Sequence, residues 1–224
     1  MKPYFETKLG KLYCGDCLEI LPEIRPVDLV LTDPPYPDYH QEEYCYTLEL
    51  MKYINTIKCH QLIFWSSKSD FPLDYTAIHI WDKKTGVGSQ YERIFERNGQ
   101  KNFKVYRCYL INSTVAAQYN SEVFTGHPSQ KPKKLIIRIL EDSKTDGIVL
   151  DAFTGSGTVP VVCERLKRKW VACEISEHWC EIAAKRIEQE VEIMNSGFGL
   201  MKQCKPITVI DSGFNLINNK GETK

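Results

Sequence analysis

The 224-residue chain contains no run of 18 or more apolar residues, so it offers no helix of bilayer-spanning length. Its first residues, Met1-Lys2-Pro3-Tyr4-Phe5-Glu6, lack the apolar core of a secretory signal, and a cytoplasmic location is expected. No internal repeat or long low-complexity segment is present. The nine cysteines are scattered rather than framework-spaced, which argues against a disulfide scaffold and for reduced thiols. Cys14-Gly15-Asp16-Cys17 has no second Cys-x-x-Cys to complete a zinc site, and His40, His60, His79 and His178 show no ligand spacing, so no metal is expected. Trp65, Trp81, Trp170 and Trp179 read as packing residues within strands and helices.

Net charge is also missing, at 29 basic and 29 acidic residues, but its distribution is uneven. Residues 1–81 carry 7 basic and 12 acidic residues, 82–138 carry 11 and 4, and 139–224 carry 11 and 13. A neutral chain with a basic middle can grip a polyanion locally. Lys83, Lys84, Arg93, Arg97, Lys101, Lys104 and Arg107 are the candidates for phosphate contacts, which position a nucleic acid without reading it. Gly86-Val87-Gly88-Ser89 and Asn98-Gly99 suggest loops able to enter a groove. Gln90 and Asn102 could read adenine edges there.

Strand and helix patterns alternate along the chain. Lys11–Cys14, Val27–Thr32, Gln61–Ser66, Tyr75–Trp81, Phe103–Ile111, Ile148–Asp151 and Trp170–Glu174 read as strands, with one more between Lys202 and Ile210. Leu18–Ile24, Glu43–Lys58, Lys133–Glu141, Thr158–Arg168 and Glu177–Met194 read as helices. Residues 215–224 are polar and expected to fray. The alternation implies an α/β fold with a doubly wound, mostly parallel sheet.

Two turns in this pattern carry chemistry. Asp151-Ala152-Phe153-Thr154-Gly155-Ser156-Gly157-Thr158 joins a strand to a helix, where glycines allow close backbone approach and the helix supplies unpaired N–H groups. Two glycines are too few for a dinucleotide fingerprint, and no Gly-Lys-Ser/Thr marks a P-loop. Glu174 ends the next strand, where an acid accepts hydrogen bonds from ribose hydroxyls. Loop and acid together point to an adenosine-containing cofactor. The second turn, Asp33-Pro34-Pro35-Tyr36, follows a buried strand directly. Its prolines restrict the backbone. The Asp33 carboxylate and Pro34 carbonyl can then each accept one N–H of an amine, while Tyr36 offers a stacking face.

Asp33-Pro34-Pro35-Tyr36, His127-Pro128-Ser129-Gln130-Lys131-Pro132 and Phe153-Thr154-Gly155-Ser156-Gly157, in this order, resemble the β group of the amino-methylating DNA methyltransferases. The likeness runs from about Lys11 to Arg186. It implies a Rossmann-like methyltransferase sheet, with S-adenosylmethionine as cofactor and double-stranded DNA as substrate. Asp33, Pro34, Pro35 and Tyr36 would be catalytic and act on a flipped base. The cofactor would lie against Asp16, Cys17, Asp33, His127, Ser129, Lys131, Asp151, Phe153, Gly155, Ser156, Gly157, Thr158 and Glu174, with Ser129 and Lys131 on its carboxylate. Asp at position 33 favours adenine N6 over cytosine N4. An RNA or protein methyltransferase would place the glycine loop first. An inactive DNA-binding or cofactor-sensing module would keep the loop without the chemistry.

The implied organisation is a catalytic half at 1–81, a short basic target-recognition insertion at 82–126, a cofactor half at 127–196 and an extension at 197–224. Three features depart from the family pattern: Ser129 stands where Thr is common, Pro37 follows Tyr36, and the recognition segment is short. So short a segment suggests a homodimer on DNA. A cognate restriction enzyme is a further expected partner.

Overall fold

The computed structural model describes residues 1–24, 26–37, 44–85, 88 and 90–196. The expected strand at Lys202–Ile210, the extension at 197–224, His40 and most of the 86–89 loop lie outside the described residues.

Among the described residues, nine strands form one sheet in the order β1-β2-β9-β8-β3-β4-β6-β5-β7. They are β1 (Phe5–Glu6), β2 (Gly10–Cys14), β3 (Leu29–Thr32), β4 (His60–Trp65), β5 (Ala77–Asp82), β6 (Tyr91–Arg97), β7 (Val105–Arg107), β8 (Val149–Asp151) and β9 (Trp170–Glu174). The helices are α1 (Cys17–Ile20), α2 (Tyr44–Thr56), α3 (Thr114–Tyr119), α4 (Lys133–Ser143), α5 (Thr158–Arg165) and α6 (Glu177–Asn195). The five strands β2, β9, β8, β3 and β4 pair in parallel, and β6 joins β4 and β5 antiparallel.

All four residues of β3 are buried, as in a central parallel strand. Successive side chains point to opposite faces, so its residues divide between two cores. Leu29 and Leu31, with Leu62 and Phe64 of β4, meet Leu135, Ile136, Ile139 and Leu140 of α4 on one face. Val30, Ile63 and Trp65 meet Leu50, Met51 and Ile54 of α2 on the other. The helical periodicity of α4 puts those four apolar residues on one stripe.

Chain direction sets the position of the site. From β3 the chain winds outward to β4, and from β8 it winds the other way to β9, so β3 and β8 flank a topological switch point. Both run in the same direction and end side by side. Their ends are joined by Thr32 Oγ1, which donates to Asp151 Oδ1 at 3.1 Å and accepts from Ala152 N at 3.2 Å. The Asp33 turn and the glycine loop are thereby held in register.

Several expectations need correction. The strand expected at 75–81 is β5 at Ala77–Asp82, and the one expected at 103–111 shrinks to the three residues of β7. The helix expected to reach Arg168 ends at Arg165. Strands β1 and β6 and helix α3 were not anticipated. The strand β6 matters most, because it lies between β4 and β5 within the sheet. Residues 82–126 supply β6 and β7 to the sheet.

Candidate active site

A cleft of about 660 Å³ opens at the carboxyl ends of β3, β8 and β9. That volume suits a small-molecule site. Its lining brings together Asp33, Pro34, Pro35 and Tyr36 with His127, Ser129, Lys131, Phe153, Gly155, Ser156, Thr158 and Glu174. All were sequence candidates. Ile175 and Trp179 line it too and were not.

On one wall the backbone does most of the shaping. Gly155 has φ +50°, and a Cβ there would stand 2.7 Å from His127 Nε2. Gly155 N donates to Glu174 Oε2 at 2.8 Å, and Ser176 N donates to Glu174 Oε1 at 2.9 Å. His127 Nδ1 accepts from Ser129 N at 3.2 Å, which places the ring proton on Nε2. The His127 ring meets Trp179 edge-on at 4.4 Å. Trp179, expected to be plain packing on a helix, is thus part of the cleft.

Four cofactor candidates stand elsewhere. Asp16 caps α1, accepting from Leu18 N at 2.7 Å, and neither it nor buried Cys17 is among the residues lining the cleft. Gly157 has φ +80° and faces α6, where a Cβ would meet Ala183 Cβ at 2.8 Å. Asp151 lies beneath the loop. Burial pushes its carboxyl up to about 7, against the opposing hydrogen bonds from Thr32 and the Phe153 amide.

The opposite wall is built from charge. Asp33 accepts hydrogen bonds from the Tyr36 hydroxyl on Oδ1 and from Lys131 Nζ on Oδ2. Lys131 Nζ also lies 3.4 Å from Glu92 Oε2, and Glu92 Oε1 lies 2.7 Å from Lys83 Nζ. Two carboxylates and two ammonium groups therefore alternate in a row, with the two lysines buried and the two acids partly buried. Phe64 and Trp81 floor this row, with Lys131 Nζ 5.0 Å from the first ring centroid and 5.7 Å from the second. Burial holds the Asp33 carboxyl above its ordinary range, and Glu92 adds to that while Lys131 opposes it. Burial would depress Lys131, but Asp33 and Glu92 together raise it. Lys131 was expected on the cofactor carboxylate, and here it holds Asp33 instead. Tyr36 packs edge-on against Trp65 at 5.5 Å.

The basic candidates separate into two groups. Lys83 is buried against Glu92. Arg93 donates to the carbonyls of Ser66 and Ser69, and Arg97 to those of Asp74 and the side chains of Gln61 and Asn55. These three are spent inside the protein, which removes them as phosphate contacts. Lys84 lies over the Tyr109 ring at 4.5 Å, and Lys101 is exposed. Lys104 pairs with Asp142 at 3.1 Å and exposed Arg107 with Asp82 at 3.4 Å.

The chain is similar to known DNA methyltransferases in sequence and in fold. The DNA methylase model of the N6/N4 methyltransferases matches residues 53–185. The type II methyltransferase M.ScaI of Streptomyces caespitosus is 26% identical, covering 85% of this chain and 85% of its own length. M.BamHI of Bacillus amyloliquefaciens is 26% identical over 85% of this chain, which spans 60% of that protein. M2.DpnII of Streptococcus pneumoniae is 43% identical over 50% of this chain, corresponding to 40% of its own length. Among solved structures, the cytosine-N4-specific PvuII DNA methyltransferase superposes with a TM-score of 0.62 at 18% identity, over 87% of this chain and 94% of that one. The complex of M1.HpyAVI with SAM gives 0.58 at 22% identity, over 80% and 100%. These structural matches establish a shared fold.

Proposed function

Since the chain belongs to the N6/N4 DNA methylase family, whose members use S-adenosylmethionine, we propose that it methylates an exocyclic amino group of a base extruded from duplex DNA, with adenine N6 as the acceptor. The observation that carries this is one cleft lined by both the Asp33–Tyr36 turn and the Gly155–Glu174 cradle.

The residues present fit the cofactor. Gly155 and Glu174 line the same cleft, where the Glu174 carboxylate is an acceptor of the kind that ribose hydroxyls require. Phe153, Ile175 and Trp179 supply apolar surface. When bound, S-adenosylmethionine supplies a methyl group on a sulfonium, and the electrons of the broken C–S bond stay on sulfur.

The protein's part is to orient the amine. Asp33 and the Pro34 carbonyl accept its two N–H groups, which turns the nitrogen lone pair out of ring conjugation and toward the cleft. Tyr36 stacks on the extruded base, and Trp65 fixes the tilt of its ring. The new N–C bond leaves the nitrogen cationic, and Asp33 is the nearest acceptor for the proton it sheds. Burial makes Asp33 a stronger base than an ordinary carboxylate, which suits that task.

Lys84, Lys101, Lys104 and Arg107 remain the candidate phosphate contacts. With β6 and β7 committed to the sheet, few residues of 82–126 are left to read a sequence. A homodimer would enlarge the footprint, and sedimentation of the free and DNA-bound protein tests this. A cognate restriction enzyme and a cytoplasmic setting belong to the same reading. The primary test incubates the protein with methyl-labelled S-adenosylmethionine and unmethylated duplex DNA, RNA or protein. Label in the DNA alone is expected, and label only in RNA or protein would refute the substrate class.

A further inference from the structure

The Asp33 carboxylate presents a difficulty for amine binding. Both of its oxygens are already engaged, Oδ1 by Tyr36 and Oδ2 by the Lys131 ammonium. An ammonium pressed against the acceptor competes with an incoming N–H and draws electron density from the oxygen that must receive it. Lys131 has a second anion within reach, because Glu92 Oε2 is 3.4 Å from Nζ. A shift of well under a side-chain length exchanges one carboxylate for the other. The rings of Phe64 and Trp81 lie under the ammonium, and Trp81 also lies 5.3 Å from Lys83 Nζ, so an electron-rich floor accompanies the exchange. Lys83 pins Glu92 from behind through Oε1, which leaves Oε2 facing Lys131.

Resting on the proposed amine methylation, we infer that Glu92 is a positioning residue: it is the second seat for the Lys131 ammonium when the target amine takes its place on Asp33. Glu92 lies in β6, outside the three motifs that mark the site. Its role is to act on Asp33 through Lys131, without touching the base.

Other charged groups that bear on the row are Lys83, Asp33, Tyr36 and, behind Asp33, Asp151. The negative charge of Glu92 raises both Asp33 and Lys131. Its removal therefore moves the acid limb of the rate profile to lower pH, and moves the deprotonation of Lys131 to lower pH as well.

The test is steady-state methyl transfer to DNA by Glu92→Gln across pH, with S-adenosylmethionine binding measured by calorimetry. The variant is expected to lose about 10- to 100-fold in kcat, the scale of a misplaced reacting group. Cofactor affinity should stay within about twofold, and the acid limb should move down. If Glu92→Gln does not fold, Lys83→Met/Glu92→Gln removes the matched pair together and carries the same kcat expectation. Wild-type kcat in the variant would overturn the inference, as would a lower kcat with an unmoved acid limb, which marks a merely structural role. A wild-type protein that methylates no DNA would instead refute the proposed function.

Discussion

The two walls of the cleft are made of different materials. The cofactor wall is backbone: the left-handed Gly155, its amide on Glu174, and the His127 ring set against the glycine. The catalytic wall is side-chain charge: Asp33, Lys131, Glu92 and Lys83 in alternation over Phe64 and Trp81. The backbone wall draws on residues between 127 and 179 and is fixed largely by the conformation at Gly155. The charged wall is assembled from segments far apart, with Asp33 and Lys131 separated by 98 residues, and it changes state with protonation. A rigid cradle serves a ligand that must be held in one place. A charged row with two seats serves a group that must make room and then accept a proton.

That contrast can be broken from either side. The largest effect is expected from Asp33→Ala on the charged wall, with methyl transfer falling by about 1,000-fold or more as both orientation and proton acceptance are lost. Glu92 keeps Lys131 paired, so calorimetry should show S-adenosylmethionine binding nearly unchanged. Loss of both would erase the division between the walls. Gly155→Ala is the converse. Its Cβ would force the His127 ring away and disfavour the backbone conformation, so cofactor affinity should fall by about tenfold or more. An Ala variant with wild-type affinity would show that the close approach at Gly155 is unused.

Asp151→Asn probes the joint between the walls by its stability. The folded carboxyl titrates near 7, and the unfolded one near 3.9. Below about pH 4 both states are protonated. As pH rises toward 7 the unfolded chain releases its proton first, so native stability falls across that window. Asparagine keeps the acceptor for Thr32 and cannot ionise. Thermal melts should therefore show the variant gaining on the wild type between pH 4 and 7, by up to about 4 kcal/mol at roughly 1.4 kcal/mol per pKa unit. A constant difference across pH would mean that Asp151 is not held protonated. The smallest effect is expected at the surface. Replacing Lys84 or Arg107 should lower the salt slope of DNA binding by about one each, and a variant with no change in slope makes no phosphate contact.

The sequence was most informative where structure is local. A buried strand followed by Asp33-Pro34-Pro35-Tyr36, and a strand–loop–helix around Gly155, both stand where the residue pattern puts them. The strand β6 was hidden because Arg93 and Arg97 read as phosphate contacts, and the charged Glu92, Arg93, Glu96 and Arg97 leave only Ile94 and Phe95 as an apolar signal. Their partners are supplied by other segments: Lys83, Ser66, His60 and Gln61. Lys131 was assigned to the cofactor because its motif lies near the cofactor loop, and no sequence pattern shows that its ammonium turns to Asp33 instead. Trp179 looked like packing because a helical tryptophan facing a cleft has the same spacing as one facing a core. The matched family region begins at residue 53, after the Asp33 turn, so the role of that turn rests on its geometry and its sequence pattern.

The central claim is that Asp33 and Pro34 receive an exocyclic amine. Nucleoside mass spectrometry of duplex DNA methylated by the purified protein tests it most directly. The expected product is N6-methyladenine. N4-methylcytosine would keep the amine chemistry and overturn the choice of base, whereas 5-methylcytosine, methylated on carbon, would contradict the account itself.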